Sequence, residues 1–198
     1  MPFTKSAVEL FISARAASVT TCGASNMKVI FPESEHWLSN FGLAVIFNDF
    51  PPAEIRPLVI NFIRRIYCAF HQYDLARQEV LKLVKDGYGR WSPYFAALNN
   101  FEVTIAQLYL ALDSIRKHAK RKFYEKGDGS FEDQLNLIYN ASKHQLAGSE
   151  LPVWFTNEGI ACTQSALTFT EIEDFMKKMA GVIKGLCNRD IALQALQS

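Results

Sequence analysis

Apolar residues recur through the middle of the chain in an unbroken alternation of four- and three-residue steps: Ile55, Val59, Phe62, Ile66, Ala69, Tyr73, Ala76, Val80 and Leu83. Steps of that size return to the same side of an α-helix, so the pattern predicts one apolar seam along a helix of about eight turns. Asp49, Pro51 and Pro52 precede the seam, and Gly87 and Gly89 follow it. Proline is tolerated in a helix's first turn and glycine accepts the backbone reversal after its last, so these residues mark a start and a stop. A second seam, Leu98, Phe101, Ile105, Leu108, Leu112 and Ile115, lies between Pro93 and Gly127-Asp128-Gly129. The link over residues 86–93 is short, so the two helices must pack antiparallel for both seams to leave water.

A third helix is predicted from about Ser130, where Ser130 and Asp133 stand at capping-box spacing. Its core stripe is Phe131, Leu135 and Ile138, and the pattern fades after Leu146 at Gly148. Residues 153–156 and 160–163 then flank Asn157-Glu158-Gly159, which reads as a β-hairpin with Gly159 at a positive-φ position. The last helix opens with a capping box of Thr170 and Glu173, and its seam is Ile172, Phe175, Met179, Val182 and Leu186. In the first fifty residues, Val8, Phe11 and Ile12 predict a helix, while residues 35–47 fit either helix or strand. The expected fold is mainly α: an up-and-down helical bundle with a small β-hairpin before the last helix. A single domain is expected over residues 1–198, with an N-terminal segment over 1–50 and a bundle core over 52–187.

Composition narrows the function. The chain has 198 residues, 49% of them apolar and 21% charged, which fits an ordered domain and excludes a disordered one. A net charge of +1 gives no global field to draw nucleic acid or an anionic membrane, so any such binding must rest on local clusters. Cys22, Cys68, Cys162 and Cys187 are far apart and form no CxxC pair, so free thiols in a reducing, cytoplasmic compartment are expected, with no metal site. The longest apolar run, residues 41–47, is too short to span a bilayer, and Glu9 and Arg15 interrupt the stretch a secretory signal would need. No membrane association is expected. Glycine-rich phosphate loops, GxSxG and HExxH patterns are absent from the sequence, and no cofactor is expected.

The best candidate for chemistry is the stretch 139–144. Asn140 and His144 are four apart and share one helical face. On a wheel measured from Ile138 they fall at roughly 200° and 240°, opposite the stripe of Phe131 and Leu135, with Leu137 at roughly 260° beside them. An apolar residue on that outward face suggests an interface.

A helical bundle whose late helix carries a polar residue, three spacers and a histidine resembles the HEPN superfamily (higher eukaryotes and prokaryotes nucleotide-binding). Its ribonucleases carry an arginine, commonly followed by asparagine, then a histidine after four to six intervening residues. Asn140 and His144 match the asparagine and histidine, and the likeness in architecture covers residues 55–187. The arginine belongs at position 137, 138 or 139, where this chain has Leu137, Ile138 and Tyr139. The stretch with Trp154, Asn157-Glu158-Gly159 and residues 167–171 is also similar to uncharacterised bacterial proteins with an N-x-x-K-H helix, here Asn140, Lys143 and His144. The resemblance implies a homodimer that brings two motifs together, metal-independent attack by an RNA 2′-hydroxyl, Asn140 and His144 as catalytic residues, and toxin–antitoxin or phage-defence roles. The motif needs a cation for the phosphorane and an imidazole for proton transfer. His144 meets the second need, whereas Lys143 projects about 100° away from it.

Each feature also has a plainer reading. Asn140 can bond a neighbouring loop, and His144 near a helix C-terminus gains from the macrodipole without catalysis. A basic run of Arg116, Lys117, His118, Lys120, Arg121 and Lys122, with Lys126 beyond and Phe123 and Tyr124 beside it, fits an RNA-binding patch together with Lys143. The same run fits cations gathered at a helix C-terminus. Arg64 and Arg65 also stand at motif spacing from His71, but Arg65 and His71 lie about 120° apart on a helix. The leading expectation is a HEPN-like protein with a degenerate motif that associates with itself, another protein or RNA without catalysis. The alternatives are a ribonuclease using His144 at a dimer interface and a helical scaffold unrelated to RNA.

Overall fold

A computed structural model describes residues 9, 18–48, 50–86, 92–120, 122, 124–143 and 151–187. The helix expected at Val8, Phe11 and Ile12 lies outside these residues, as do the stops expected at Gly87, Gly89 and Gly148. Six helices are described: α1 (Met27–Ile30), α2 (Trp37–Asn48), α3 (Arg56–Asp86), α4 (Ser92–Ala119), α5 (Phe131–Lys143) and α6 (Phe169–Leu186). Strands β1 (Val153–Phe155), β2 (Gly159–Cys162) and β3 (Ala166–Thr168) form an antiparallel sheet before α6. The fold is mainly α, with a small sheet where a hairpin was expected.

The long pair is antiparallel. Tyr73 meets Phe101 with ring centroids 5.8 Å apart, and Arg65, earlier on α3, donates to Gln107, later on α4, at 3.1 Å. Every seam residue of α3 from Val59 to Leu83 is buried, while Ile55 is half-buried in a 3₁₀ turn that leads into the helix. A second stripe on α3, including Ile63 and Phe70, is buried as well. Phe70 receives Phe31 and Trp37 edge to face at 5.6 and 5.1 Å, so the segment before residue 50 forms a second layer over α3. Residues 37–48 are helical because Trp37, Phe41 and Ala44, four and three apart, bury one side against that layer. On α4, Leu98, Phe101, Ile105 and Leu108 are buried, while Leu112 and Ile115 are half-buried.

The sheet corrects three expectations. Gly159 does not have positive φ; the positive-φ glycines among the described residues are Gly127 and Gly129. It is needed for close approach instead, since a Cβ there would lie 2.1 Å from the Leu167 carbonyl oxygen. That neighbour belongs to β3, which pairs Gly159 with Thr168 and Ile160 with Leu167, a third strand beyond the expected hairpin. The capping box of α6 is Thr168 with Glu171 rather than Thr170 with Glu173: the Glu171 amide donates to Thr168 Oγ1 at 3.1 Å, and the Thr168 amide to Glu171 Oε2 at 2.8 Å. The seam of α6 also drifts, so that Val182 is exposed and Ile183 buried. A 3.6-residue turn walks away from a strict 3.5-residue stripe within a few turns.

Glu173 is released from capping for a different task. Its buried carboxylate accepts from the Tyr73 hydroxyl at 2.6 Å, the Ser25 amide at 2.7 Å and the Ser25 hydroxyl at 2.8 Å. Burial, then the hydrogen bond to Glu173, pushes the Tyr73 phenol far above its ordinary range. Two further side chains hold residues 20–24. Asn157 Oδ1 accepts the Thr20 and Thr21 amides at 2.8 and 3.0 Å, and Arg77 Nε donates to the Ala24 carbonyl at 3.0 Å. Residue 25, α3 and α6 thereby meet at one carboxylate, and residues 20 and 21 are tied to the first sheet turn.

Two predictions follow from burial. Glu173→Ala leaves the buried Tyr73 hydroxyl and two part-buried Ser25 donors without a partner, a loss of about 3 kcal/mol, whereas Glu171→Ala removes a cap worth about 1 kcal/mol. The melting temperature is expected to fall roughly three times as far in the first variant, and equal losses would dismiss the hub. Glu102, half-buried on α4, has its carboxyl pushed up to about 7 by burial. Its folded value lies above the unfolded one, so its ionisation destabilises the fold as pH rises from about 4.5 through about 7. Because the group is only partly buried, solvent screening reduces the effect to about 1 kcal/mol. Glu102→Gln should therefore raise the melting temperature by about 2–4 °C at pH 8 and leave it unchanged at pH 4.

Candidate functional site

Helix α5 begins beside a tight turn. Gly127 and Gly129 have φ of 84° and 73°, and Asp128 bonds the amides of Glu125 at 2.8 Å and Ser130 at 2.9 Å. The Asp133 amide donates to Ser130 Oγ at 3.2 Å, which is half of the expected capping box. The Asp133 carboxylate turns away from the cap to accept the Gly127 amide at 3.1 Å. Leu135 and Ile138 bury the inner face as the seam predicts, and Phe131, half-buried, stacks on Phe175 of α6 at 4.6 Å.

Asn140 is exposed on the other side of α5 and donates through Nδ2 to Asn136 Oδ1 at 2.9 Å, one turn earlier. His144 lies outside the described residues. Lys143 is exposed but folds back, with Nζ 3.9 Å from the centroid of the Tyr139 ring, and Tyr139 stacks on Tyr109 of α4 at 4.3 Å. Such a cation–π contact holds the ammonium near the tyrosine face. Ile138 and Tyr139 are buried and Leu137 is half-buried, so packing fills the positions where the HEPN arginine would stand.

The basic run separates into groups. Arg116 and Lys117 both pair with Asp113, the second at 2.7 Å. Burial alone would raise the Asp113 carboxyl, but the hydrogen bonds from Lys117 and Arg116 outweigh it and hold the group below its ordinary range. Lys120 ends α4 with φ of 50°, a left-handed turn that sends the chain back towards α5. Arg121 and Phe123 lie outside the described residues. Lys122 and Lys126 are exposed, and Tyr124 is half-buried between them.

Two clefts join these pieces. One of about 470 Å³ is lined by Arg116, Lys122, Tyr124, Glu125, Lys126 and Asn136. The other, of about 520 Å³, runs from Lys126 and Asn136 past Asn140 and Ala141 to Thr163 and Gln164 at the end of β2. Lys126 and Asn136 wall both, so the clefts adjoin along the outer face of α5. The structure thus brings Arg116, Lys122 and Asn140 to one groove, and leaves Lys117, Lys120 and Lys143 off its lining.

No family model, curated protein or solved structure matches the chain.

Asn136, Thr163 and Gln164 were not singled out from the sequence. Asn136 carried a usable signal, because it stands four residues before Asn140 in the same helical row. Thr163 and Gln164 carried none, since they reach the groove only through the sheet. The Arg65–His71 spacing brings no pair together: Arg65 bonds Gln107, and His71 lies tilted on Tyr67 with centroids 6.4 Å apart. Among the described residues, no group of three or more histidine, cysteine or acidic side chains is placed to hold a metal ion, and no helix is long and apolar enough to cross a membrane.

Proposed function

We propose that this chain is a HEPN-like helical protein with a degenerate motif, and that its groove along α5 binds single-stranded RNA without cleaving it. The observation that carries the proposal is the pair of adjoining clefts, which align Arg116, Lys122 and Lys126 with the amides of Asn136 and Asn140. Cations spaced along a groove suit a phosphate backbone, Tyr124 offers a ring at the groove wall, and side-chain amides can bond base edges or riboses. Packing at positions 137–139 explains why binding is preferred to cleavage, since a phosphorane needs a fixed cation beside the histidine. A toxin–antitoxin or defence role would follow from the HEPN likeness.

With three phosphates contacted, affinity for a single-stranded RNA should fall roughly twentyfold between 50 and 200 mM salt. Lys122→Ala combined with Lys126→Ala should weaken binding at least about tenfold and flatten the salt dependence to about a third of its slope, with the melting temperature unchanged. Salt-independent binding, or an unaltered slope in the double variant, would remove RNA from the groove.

One feature favours a second reading, a metal-independent ribonuclease. Lys126 lines the same cleft as Asn140 and can supply in place the cation missing from positions 137–139. In that case RNA is cut in EDTA, and cleavage is lost in both His144→Ala and Lys126→Ala while the fold persists. Absence of cleavage in the wild-type protein leaves binding alone.

A further inference from the structure

Helix α2 is apolar on both sides. Trp37, Phe41 and Ala44 are buried, yet the opposite face presents Ile46 at 74% exposure, Phe47 at 78%, Leu43 at 52% and Leu38 at 41%. The helix contains no charged side chain. Such a face is unusual for surface left in water.

We infer that this face of α2 is the contact through which a second copy of the chain binds, as a two-fold homodimer. Three features select that occupant. The outward side is built of two rows at four-residue spacing, Leu38–Gly42–Ile46 and Ser39–Leu43–Phe47. Gly42 interrupts the first row, and a Cβ there would meet no heavy atom within 4 Å, so the row has a notch. A two-fold contact must be self-complementary, and the face has the knob and the notch side by side: Leu43 of each copy can enter the gap over Gly42 of the other when the rows interdigitate.

Area agrees. At about 180 Å² for each such side chain when fully exposed, the four expose roughly 440 Å², so two copies would cover roughly 900 Å², the small end of specific interfaces and the size of a contact that dissociates on dilution. Charge argues against a membrane surface. A helix lying on a membrane keeps a basic polar face towards water, whereas the second face of α2 is buried in the protein and nearby Lys28 is paired with Glu35 at 3.6 Å. The α2 face is also separate from the groove: α2 packs on α3 and α6, whereas α5 packs chiefly on α4 and the sheet and meets α6 through Phe131, and no residue lining the two clefts belongs to α2. This inference therefore does not depend on RNA binding.

Sedimentation velocity on the full chain tests it. The wild type is expected to be a dimer at about 100 μM that dissociates on dilution, as suits a small interface. Phe47→Glu and, separately, Gly42→Leu should each weaken association at least about tenfold. Both positions are open, so circular dichroism and melting should show a folded chain in each variant. Leu43→Cys should give a disulfide-linked dimer under mild oxidation beyond any formed by the wild type. A wild-type monomer at that concentration overturns the inference, including one in which residues 188–198 cover the face. So does a dimer that neither substitution at Phe47 nor at Gly42 weakens.

Discussion

The Glu173 carboxylate is the constraint on which much of this fold turns. It accepts from Tyr73 on α3 and twice from Ser25 in the N-terminal segment, and it does so from the second turn of α6. Burying a carboxylate is unfavourable unless its oxygens are bonded, so these donors cannot be displaced singly without leaving a charge or a polar group unsatisfied. That coupling fixes where α6 starts. Because Glu173 is occupied, the cap passes to Thr168 and Glu171, and the residues before Thr168 remain extended as β3. The strand in turn demands Gly159, whose missing side chain leaves room for the Leu167 carbonyl. A single buried carboxylate thus propagates through the cap and the strand to the turn at Asn157, which holds residues 20 and 21.

This chain of dependence explains what could and could not be read from the sequence. Helices α3 and α4 were legible because a seam repeats locally many times, and neither needs a distant partner to declare its period. The start of α6 was not. Thr168–Glu171 and Thr170–Glu173 have identical spacing, and the choice rests on a tyrosine a hundred residues earlier. Gly159 was legible as a residue with a special role, but a positive-φ turn and a close backbone approach use the same residue type, and the third strand decides between them. Helix α2 was ambiguous for a different reason: its apolar run over residues 41–47 has no polar positions from which a period can be read.

The candidate site divides in the same way. The outward placement of Asn140 follows from the wheel alone, as does the burial of Ile138. The groove does not, because its walls come from the end of α4, the turn before α5 and the sheet, and the fold sets their juxtaposition. Electrostatics also differ from a count of basic residues. Asp113 engages Arg116 and Lys117, and Tyr139 holds Lys143, so much of the local positive charge is committed within the protein. Lys122 and Lys126, with no ion pair among the described residues, are the cations best placed to meet an anionic ligand on the reading proposed above.

Organisation around α3 places the two outward-facing features on different layers. One side of this helix takes α4, and behind α4 lie α5 and the polar groove; the other takes the N-terminal segment with α2, whose far side is apolar. A HEPN-type ribonuclease must join its two copies at the motif, because each active centre draws on both. If association instead occurs through α2, the groove of each copy stays open along its length and no second motif faces Asn140. That geometry suits a protein that holds a single strand on each of two outer faces, and it agrees with the absence of an arginine at positions 137–139: a site with no opposing motif has no use for the group that would complete it.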